Sequence, residues 1–368
     1  MSIEIGIPKE SLPGEARVAM TPEVAAKLVN KGFTLLVEQG AGLAAGYHDD
    51  DYLAAGAQVV SRDQALAAGW VAKVRRPTLD EVAAMSDGAL YIGFIETCDE
   101  QDPVVRALHD KGIRVLAMER IPRISRAQSM DALSSQSNIA GYRAVIEAAA
   151  RYQRFFPLMM TSAGSVKPAR VVVLGAGVAG LQAIATARRL GAEVLAYDVR
   201  PETREQIESL GATPIELDLG EEGSGEGGYA RELSEEAKAR QQELLADELA
   251  RAHVIITTAL IPCRPAPVLV TESVVKRMRE GSVIVDLAAA NGGNCPLTEP
   301  DEVVRKHGVI LVGHTNYPSM MAGDASTFYA NNVANLIAIM VEPTDAGPVL
   351  KDLSEDEITA AALMAPGT

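Results

Sequence analysis

The chain alternates between short runs of branched apolar residues and longer segments in which apolar positions recur at helical spacing. Residues 3–7 (IEIGI) predict a buried strand, and TPEVAAKLVNKG predicts a helix with Thr21 at its N-cap, Pro22 in its first turn and Gly32 after its end. Further strand-like runs are FTLLVEQ, GAQVV, WVAKV, ALYIGF and GIRVLAM. Strands that alternate with helices are typical of a parallel α/β sheet.

A second series of the same kind begins after Pro168. Its strand-like runs are ARVVVLG, AEVLAYD, TPIEL, HVIITTAL, SVIVDLA and GVILVGH. These runs are rich in β-branched residues and bounded by glycine or polar turns, as expected for strands buried on both faces. Long helical patterns around 139–153 and 326–341 are predicted to join the two series.

The length of 368 residues exceeds what one hydrophobic core usually fills, so two domains are expected. We predict an α/β protein with two Rossmann-like domains built on parallel sheets. The N-terminal domain is expected to be discontinuous, because the C-terminal segment returns to complete it. Its predicted residues are 1–138 plus 326–368, and those of the second domain are 139–325.

Composition excludes several classes of function. The net charge of -15, with no basic run, argues against binding to nucleic acid or to an anionic membrane surface. No stretch approaches the ~20 apolar residues of a membrane-spanning helix, and the N-terminus lacks the pattern of a signal peptide. The three cysteines are widely spaced and form no CxxC pair. We therefore expect a soluble cytoplasmic protein without a metal site.

The segment VVVLGAGVAGLQAIATARRLGAEVLAYDVR carries the most informative motif. Gly175, Gly177 and Gly180 form a GxGxxG pattern directly after a predicted strand and at the start of a predicted helix. The first glycine permits a tight turn, the second lets a pyrophosphate approach the backbone, and the third lets the helix pack on the strand. The helix N-terminus offers free N–H groups and a partial positive charge to phosphates. This context predicts a dinucleotide site.

The acidic residue at the end of the second strand bears on which dinucleotide is bound. Asp198 lies where a carboxylate would accept hydrogen bonds from the adenosine ribose hydroxyls and would repel a 2′-phosphate. This favours NAD(H) over NADP(H). Arg200 leaves the alternative open, because a nearby arginine can accommodate that phosphate.

The connection IPRISRAQSMDALSSQS, residues 121–137, is unusually polar. It contains two arginines, a glutamine, an aspartate and several serines between an apolar run and a helical pattern. One interpretation is a capped helix start, with Ser125 or Ser134 as the N-cap. The number of short polar side chains exceeds what a cap requires, and such side chains suit an amide ligand.

Several motifs, taken together and in this order, resemble one family. They are IPKE, GEARVAMTPE, VEQGAG, AAGAQVV, PRISRAQSMDALSSQSNIAGYRAV, ITTALIPCRPAPVL, GSVIVDLA, GGNCPL and GHTNYPS. The chain resembles the NAD(H)-binding first domain of proton-translocating nicotinamide nucleotide transhydrogenases, within the alanine dehydrogenase/transhydrogenase superfamily. The resemblance covers nearly the whole chain, and RISRAQSMDALSSQSN is its most distinctive part.

The resemblance implies a role for the polar connection. Arg123 would contact the nicotinamide ribose and the pyrophosphate, and Gln128 would reach toward the nucleotide on a partner domain. Asp131 and Ser134 would fix the carboxamide and the ring. These four are the predicted catalytic residues, since they would orient the nicotinamide.

The resemblance also implies cofactor contacts in the second domain. They comprise the phosphate-facing turn, the adenosine side, a flap that closes over the nucleotide, and single contacts at the adenine and at a strand end. In that order the residues are Gly175, Ala176, Gly177, Val178 and Gly180; Asp198, Val199 and Arg200; Gly228 and Tyr229; Gln241; and Leu260. Asp286, His314 and Asn316 are secondary candidates.

Alanine dehydrogenase is the closest alternative, and it requires different chemistry. Oxidation of an amino acid passes through an imine, so a proton shuttle is needed besides the hydride acceptor. By resemblance, Arg75 occupies the position of that family's substrate lysine and Glu96 that of its histidine, whereas Arg17 is retained. Hydride exchange between two nicotinamides needs only positioning and exclusion of water. The residues therefore favour the transhydrogenase.

The expected function is that of an NAD(H)-binding subunit that passes hydride from NADH to NADP+. The resemblance implies that NADP(H) is held on a partner subunit and that a separate membrane-spanning subunit moves protons. It also implies a homodimer, peripheral to the cytoplasmic membrane through its partners. An amino acid oxidoreductase and a non-catalytic NAD-binding module are the alternatives.

Overall fold

The computed structural model describes residues 2–97, 99, 101–217, 234–261, 263–345 and 347–364. The chain divides into two compact units. The first unit consists of Met1–Gln136 together with Pro318–Thr368, and the second of Ser137–Tyr317. The first unit is discontinuous, because the C-terminal part of the chain packs with the N-terminal part.

The strands are short, and those in the two large sheets are mostly buried, as expected for sheets covered on both faces. In chain order they are β1 (Glu4–Ile7), β2 (Thr34–Glu38), β3 (Gln58–Val60), β4 (Trp70–Ala72), β5 (Leu90–Gly93), β6 (Arg114–Ala117), β7 (Met159–Thr161), β8 (Gly164–Val166), β9 (Arg170–Leu174), β10 (Glu193–Tyr197), β11 (Thr213–Pro214), β12 (Val254–Thr257), β13 (Val283–Asp286), β14 (Val303–Lys306), β15 (Val309–Val312), β16 (Val341–Thr344), β17 (Gly347–Leu350) and β18 (Leu363–Met364).

The α-helices alternate with the strands in both units. In chain order they are α1 (Pro22–Val29), α2 (Asp49–Ala54), α3 (Arg62–Leu66), α4 (Leu79–Ala84), α5 (Pro103–Asp110), α6 (Ala132–Arg151), α7 (Val178–Arg189), α8 (Thr203–Ser209), α9 (Glu235–Ala250), α10 (Glu272–Arg277), α11 (Ala322–Met340) and α12 (Glu357–Ala362). A 3₁₀ helix, Ser125–Met130, precedes α6.

The first unit contains a seven-stranded sheet in the order β18-β6-β5-β4-β1-β2-β3. Its strands are parallel except for β18, which pairs antiparallel with β6 and so adds the C-terminal segment to the sheet. The order of strand addition reverses between β1 and β4. Ligands of doubly wound sheets bind at the carboxyl ends of the strands beside such a reversal.

The second unit has a matching seven-stranded sheet in the order β11-β10-β9-β12-β13-β15-β14. Only its edge strand β14 is antiparallel, and strand order reverses between β9 and β12. Separate antiparallel hairpins are formed by β7 with β8 and by β16 with β17. The predicted fold class, two Rossmann-like domains with mostly parallel sheets and a discontinuous first domain, is confirmed.

Some predicted element bounds differ from the structure. Thr21 occupies the N-cap of α1, but its side chain makes no capping hydrogen bond. The helix predicted around 139–153 begins at Ala132, because Asp131 accepts a hydrogen bond from the Ser134 N–H and thereby caps a polar first turn. The later part of the polar connection is therefore helical.

A buried lysine joins three elements of the first unit. Lys73 follows β4 and is 0% exposed, and its Nζ lies 2.7 Å and 2.9 Å from the carboxylate oxygens of Glu81 on α4. Its Nζ is also 3.5 Å from Oε2 of Glu10, which follows β1. Glu10 accepts a hydrogen bond from the Val74 N–H at 2.6 Å, and burial raises the pKa of Glu10 to about 7 although Lys73 opposes the rise.

Replacing this lysine should destabilise the first unit strongly. We expect Lys73→Ala to lower the free energy of unfolding by about 3–5 kcal/mol, because it leaves buried carboxylates without their cation. The measurement is urea unfolding followed by the fluorescence of Trp70, the one tryptophan in the sequence, which is buried in this unit.

The matched control for that experiment is Lys27→Ala. Lys27 pairs with Glu23 at 2.8 Å on the exposed face of α1, and loss of such a pair should cost no more than about 0.5 kcal/mol. Similar losses in both variants would show that the buried cluster contributes no more than a surface ion pair.

Candidate functional site

The GxGxxG turn joins β9 to α7 in the second unit. Gly175 follows β9 with φ 101°, a left-handed conformation that favours glycine, and Gly177 is the N-cap of α7. No side chain caps this helix, so the N–H groups of its first turn are left without a side-chain acceptor. Such a terminus suits the phosphates of a dinucleotide.

The other two glycines of the turn have different surroundings. A Cβ atom on Gly180 would lie 1.8 Å from the carbonyl oxygen of Gly175, so only glycine lets α7 pack this closely on the turn. A Cβ atom on Gly177 would meet nothing within 4 Å. Packing therefore explains Gly180 but not Gly177, whose bare backbone faces open space where a ligand can approach.

Asp198 lies directly beside this turn. Its Oδ2 accepts a hydrogen bond from the Ala176 N–H at 2.7 Å, and its carboxylate pairs with Arg200 through Nε and a terminal nitrogen, each at 2.9 Å. These bonds raise the pKa of Arg200. The Arg200 guanidinium is thus directed at Asp198, while Val199 packs against the apolar core of the unit.

The remaining predicted contacts of the second unit are spread more widely. Gln241 on α9 is 3% exposed and donates to the Tyr197 hydroxyl at 2.9 Å, and burial raises the pKa of Tyr197 to about 12. Leu260, beyond the end of β12, is 43% exposed. Gly228 and Tyr229 lie outside the described residues.

Two of the secondary candidates make contacts within the second unit. Asp286 is fully buried at the end of β13 and accepts hydrogen bonds from the Thr257 hydroxyl and from the Ala288 and Cys295 N–H groups. It therefore braces the carboxyl edge of the sheet. The His314 ring packs edge-on against Tyr317, with centroids 5.7 Å apart.

The polar connection in the first unit presents its predicted residues in two ways. Arg123 and Gln128 are exposed, whereas Asp131 and Ser134 are half-buried at the start of α6. Asp131 accepts from the Ser134 N–H at 2.8 Å and from the Ser134 hydroxyl at 2.6 Å. The interpretation as a helix cap is thus realised, with Asp131 as the acceptor in place of either serine. Helix capping leaves both side chains at the surface of the segment.

Asparagines on α11 hold this segment in place, and no local pattern in the sequence pointed to them. Asn332 Nδ2 donates to the Ser129 carbonyl at 2.9 Å, and Asn335 donates to the same carbonyl at 3.0 Å. The Ser135 hydroxyl donates to Asn332 Oδ1 at 2.7 Å. Asn332 therefore bonds to the backbone before Asp131 and to a side chain after it.

Three charged positions distinguish the first unit from an amino acid oxidoreductase. Arg75 pairs with Glu96 at 2.9 Å, and Glu96 has a left-handed backbone with φ 52°. The Arg17 guanidinium is held by Glu15 at 2.6 Å and 2.8 Å, and it donates to Gln136 at 2.9 Å. An ion pair therefore stands where a proton shuttle was sought, and a protein carboxylate already binds Arg17.

Comparison with known proteins gives the same answer from sequence and from structure. The sequence matches the family described as alanine dehydrogenase/PNT, with its N-terminal domain over residues 6–140 and its C-terminal domain over residues 144–367. This chain belongs to that family. The predicted membership of the alanine dehydrogenase/transhydrogenase superfamily, and the class of oxidoreductases, are thereby confirmed.

Similar family members include both kinds of enzyme. The chain is 51% identical over 374 residues to the first of the polypeptides that make up NAD(P) transhydrogenase subunit alpha in Rhodospirillum rubrum, covering 99% of this chain and 97% of the relative. A crystal structure of a transhydrogenase from Sinorhizobium meliloti aligns with a TM-score of 0.87 at 44% identity, over 98% of this chain and 97% of the other. An L-alanine dehydrogenase structure aligns with a TM-score of 0.79 at 28% identity, over 98% and 94%.

The two glycines of the turn can be separated experimentally. Gly177→Ala should change the free energy of unfolding by less than about 1 kcal/mol, yet it should weaken NADH binding by about tenfold or more, since the methyl group projects toward the phosphates. Gly180→Ala should instead cost about 1–3 kcal/mol of stability through the clash with Gly175. Fluorescence titration with NADH and urea unfolding measure the two effects. Unchanged NADH binding by folded Gly177→Ala would contradict the assignment of the turn.

Proposed function

We propose that this chain is the NAD(H)-binding subunit of a proton-translocating transhydrogenase, which passes hydride to NADP+ held on a partner subunit. The observation that carries the choice within the family is the Arg75–Glu96 ion pair. An amino acid oxidoreductase needs a group that gives and takes a proton at its substrate. A guanidinium remains charged at all physiological pH values, so Arg75 cannot serve as that group.

The exchange proposed here makes fewer chemical demands. NADH + NADP+ → NAD+ + NADPH neither consumes nor releases a proton, so the protein must hold the nicotinamide, orient it and exclude water. Asp131 and Ser134 would hydrogen-bond the carboxamide, and Arg123 would contact the neighbouring ribose and phosphates. Gln128, being exposed, would face the partner's nucleotide. Movement of protons across a membrane belongs to a different subunit.

The second unit would bind the adenosine half of NAD(H). Its support is the uncapped α7 terminus, the open space at Gly177 and the position of Asp198 beside the turn. A 2′-phosphate would approach the Asp198 carboxylate, while Arg200 is engaged by that same carboxylate. Both contacts favour NAD(H) over NADP(H) on this subunit.

Asp131 provides the sharpest test of this function. Asn is as good an N-cap as Asp, so Asp131→Asn should change the free energy of unfolding by no more than about 0.5 kcal/mol. Loss of the carboxylate should nevertheless slow hydride exchange roughly ten- to a hundredfold, the value of one hydrogen bond to a charged group. The assay mixes the chain with an NADP(H)-binding transhydrogenase component, NADH and an NADP+ analogue.

The matched control is Asp102→Asn. Asp102 caps α5 in the same unit by accepting from the Val104 and Val105 N–H groups, so this change tests capping without touching the polar connection. Equal losses of stability and exchange in Asp131→Asn would show a structural role. No exchange by the unmodified chain at saturating nucleotides, or reduction of NAD+ on addition of alanine alone, would overturn the proposed function.

We further propose that the chain forms a homodimer and reaches the membrane only through partner subunits. Across the described ranges, no helix combines the length and apolar content that a bilayer-spanning helix needs. The second unit has an apolar surface at the β7–β8 hairpin and the chain leading into it. Phe155, Leu158, Met159 and Met160 are 52%, 56%, 36% and 75% exposed. A second copy of the chain would cover this surface in a two-fold arrangement.

The dimer proposal predicts a change in assembly on charge insertion. Met160→Glu should raise the dimer dissociation constant by at least about tenfold, because a carboxylate would be buried in an apolar contact. Leu53→Glu is the control, since Leu53 is also 53% exposed but lies on α2 in the other unit. Analytical ultracentrifugation measures both. A monomeric unmodified chain at micromolar concentration, or a Met160→Glu variant that remains dimeric, would contradict the proposal.

A further inference from the structure

A cavity of about 420 Å³ opens in the second unit, away from the dinucleotide turn. It is lined by four arginines, Arg151, Arg154, Arg279 and Arg305, and by His253. Arg170 opens β9, and His253 immediately precedes β12, so the cavity lies at the amino ends of the parallel strands. The GxGxxG turn follows the carboxyl end of β9, and a strand of five residues spans about 17 Å.

The positive charge in this cavity is only partly neutralised. Arg151 pairs with Glu147, and Arg305 lies 3.3 Å from Glu280, the one acidic residue among the described lining residues. Within the described part of the chain, Arg154 and Arg279 have no carboxylate within ion-pair distance. Two guanidinium groups with free donors therefore share one cavity, in a protein whose net charge is -15.

Aromatic rings give the cavity a fixed wall. The Tyr152 and His253 rings stack with centroids 5.8 Å apart and an angle of 26° between their planes. The Arg170 N–H donates to His253 Nδ1 at 2.8 Å, which leaves the hydrogen of the neutral ring on Nε2. Burial, together with Arg279 and Arg154, lowers the pKa of His253, so the ring remains a neutral donor at pH 7.

We propose that this cavity is a second anion site, which binds a small ligand bearing phosphate groups. Guanidinium groups match phosphate oxygens in pairs, and two of them with free donors provide the strongest combination for a multiply charged anion. The volume falls in the range of small-molecule clefts, roughly 300–1,000 Å³. The site is separate from the proposed NAD(H) contacts and does not depend on the proposed function.

Inorganic pyrophosphate is a suitable probe, followed by calorimetry and by the NMR signals of the His253 ring in the full-length chain. The unmodified chain should bind pyrophosphate and shift those signals. Arg279→Gln and Arg154→Gln should each weaken binding by about tenfold, the value of a charge-assisted hydrogen bond. Both side chains are exposed, so thermal unfolding should be unchanged.

Two controls separate this site from others. Arg106→Gln removes an exposed arginine from α5 in the first unit and should leave binding unchanged. Gly177→Ala should leave the His253 response to pyrophosphate intact, because the dinucleotide turn lies at the other edge of the sheet. The proposal is overturned if the His253 signals do not respond, if both arginine variants bind as tightly as the unmodified chain, or if Gly177→Ala abolishes the response.

Discussion

The arrangement of the first unit depends on a cation that is shut away from water. Lys73 ends the strand on one side of the reversal in strand order, and Glu10 follows the strand on the other side. Their contact, completed by Glu81, fixes the carboxyl edge of this sheet. Tyr329 on α11 donates to the Lys73 carbonyl at 2.7 Å and connects the C-terminal helix to the same place. The site-bearing segments are built outward from this point.

Local signals in the sequence predicted the parts of the site that are local in the chain. The GxGxxG turn and the strand that ends at Asp198 lie within thirty consecutive residues, so spacing and residue type sufficed to place them. Contacts between distant segments were not predictable in this way. Asn332 reaches Ser129 from about two hundred residues away, and the cavity arginines come from four separate elements. In addition, Gln241 was assigned by resemblance to a ligand, whereas the structure bonds it to Tyr197.

The family uses one scaffold for two kinds of hydride chemistry, and the difference lies in a few side chains. Both sheets superpose on an alanine dehydrogenase as well as on a transhydrogenase. In the first unit, however, Arg17 is bound by Glu15 and Arg75 by Glu96. Each positive charge that could attract a substrate carboxylate is already paired with one supplied by the protein. The scaffold determines where a nicotinamide can lie, and these pairs determine what it can react with.

The bonds from Asn332 have a consequence for how the protein matures. A ribosome releases the chain from its N-terminus, so most strands of the first sheet emerge long before α11 does. Until residue 332 has left the exit tunnel, the Ser129 carbonyl lacks its asparagine donors and the connection that carries Asp131 is not held. The nascent polypeptide can therefore complete its entire second unit first. The segment proposed to grip the nicotinamide acquires its final shape only as synthesis ends.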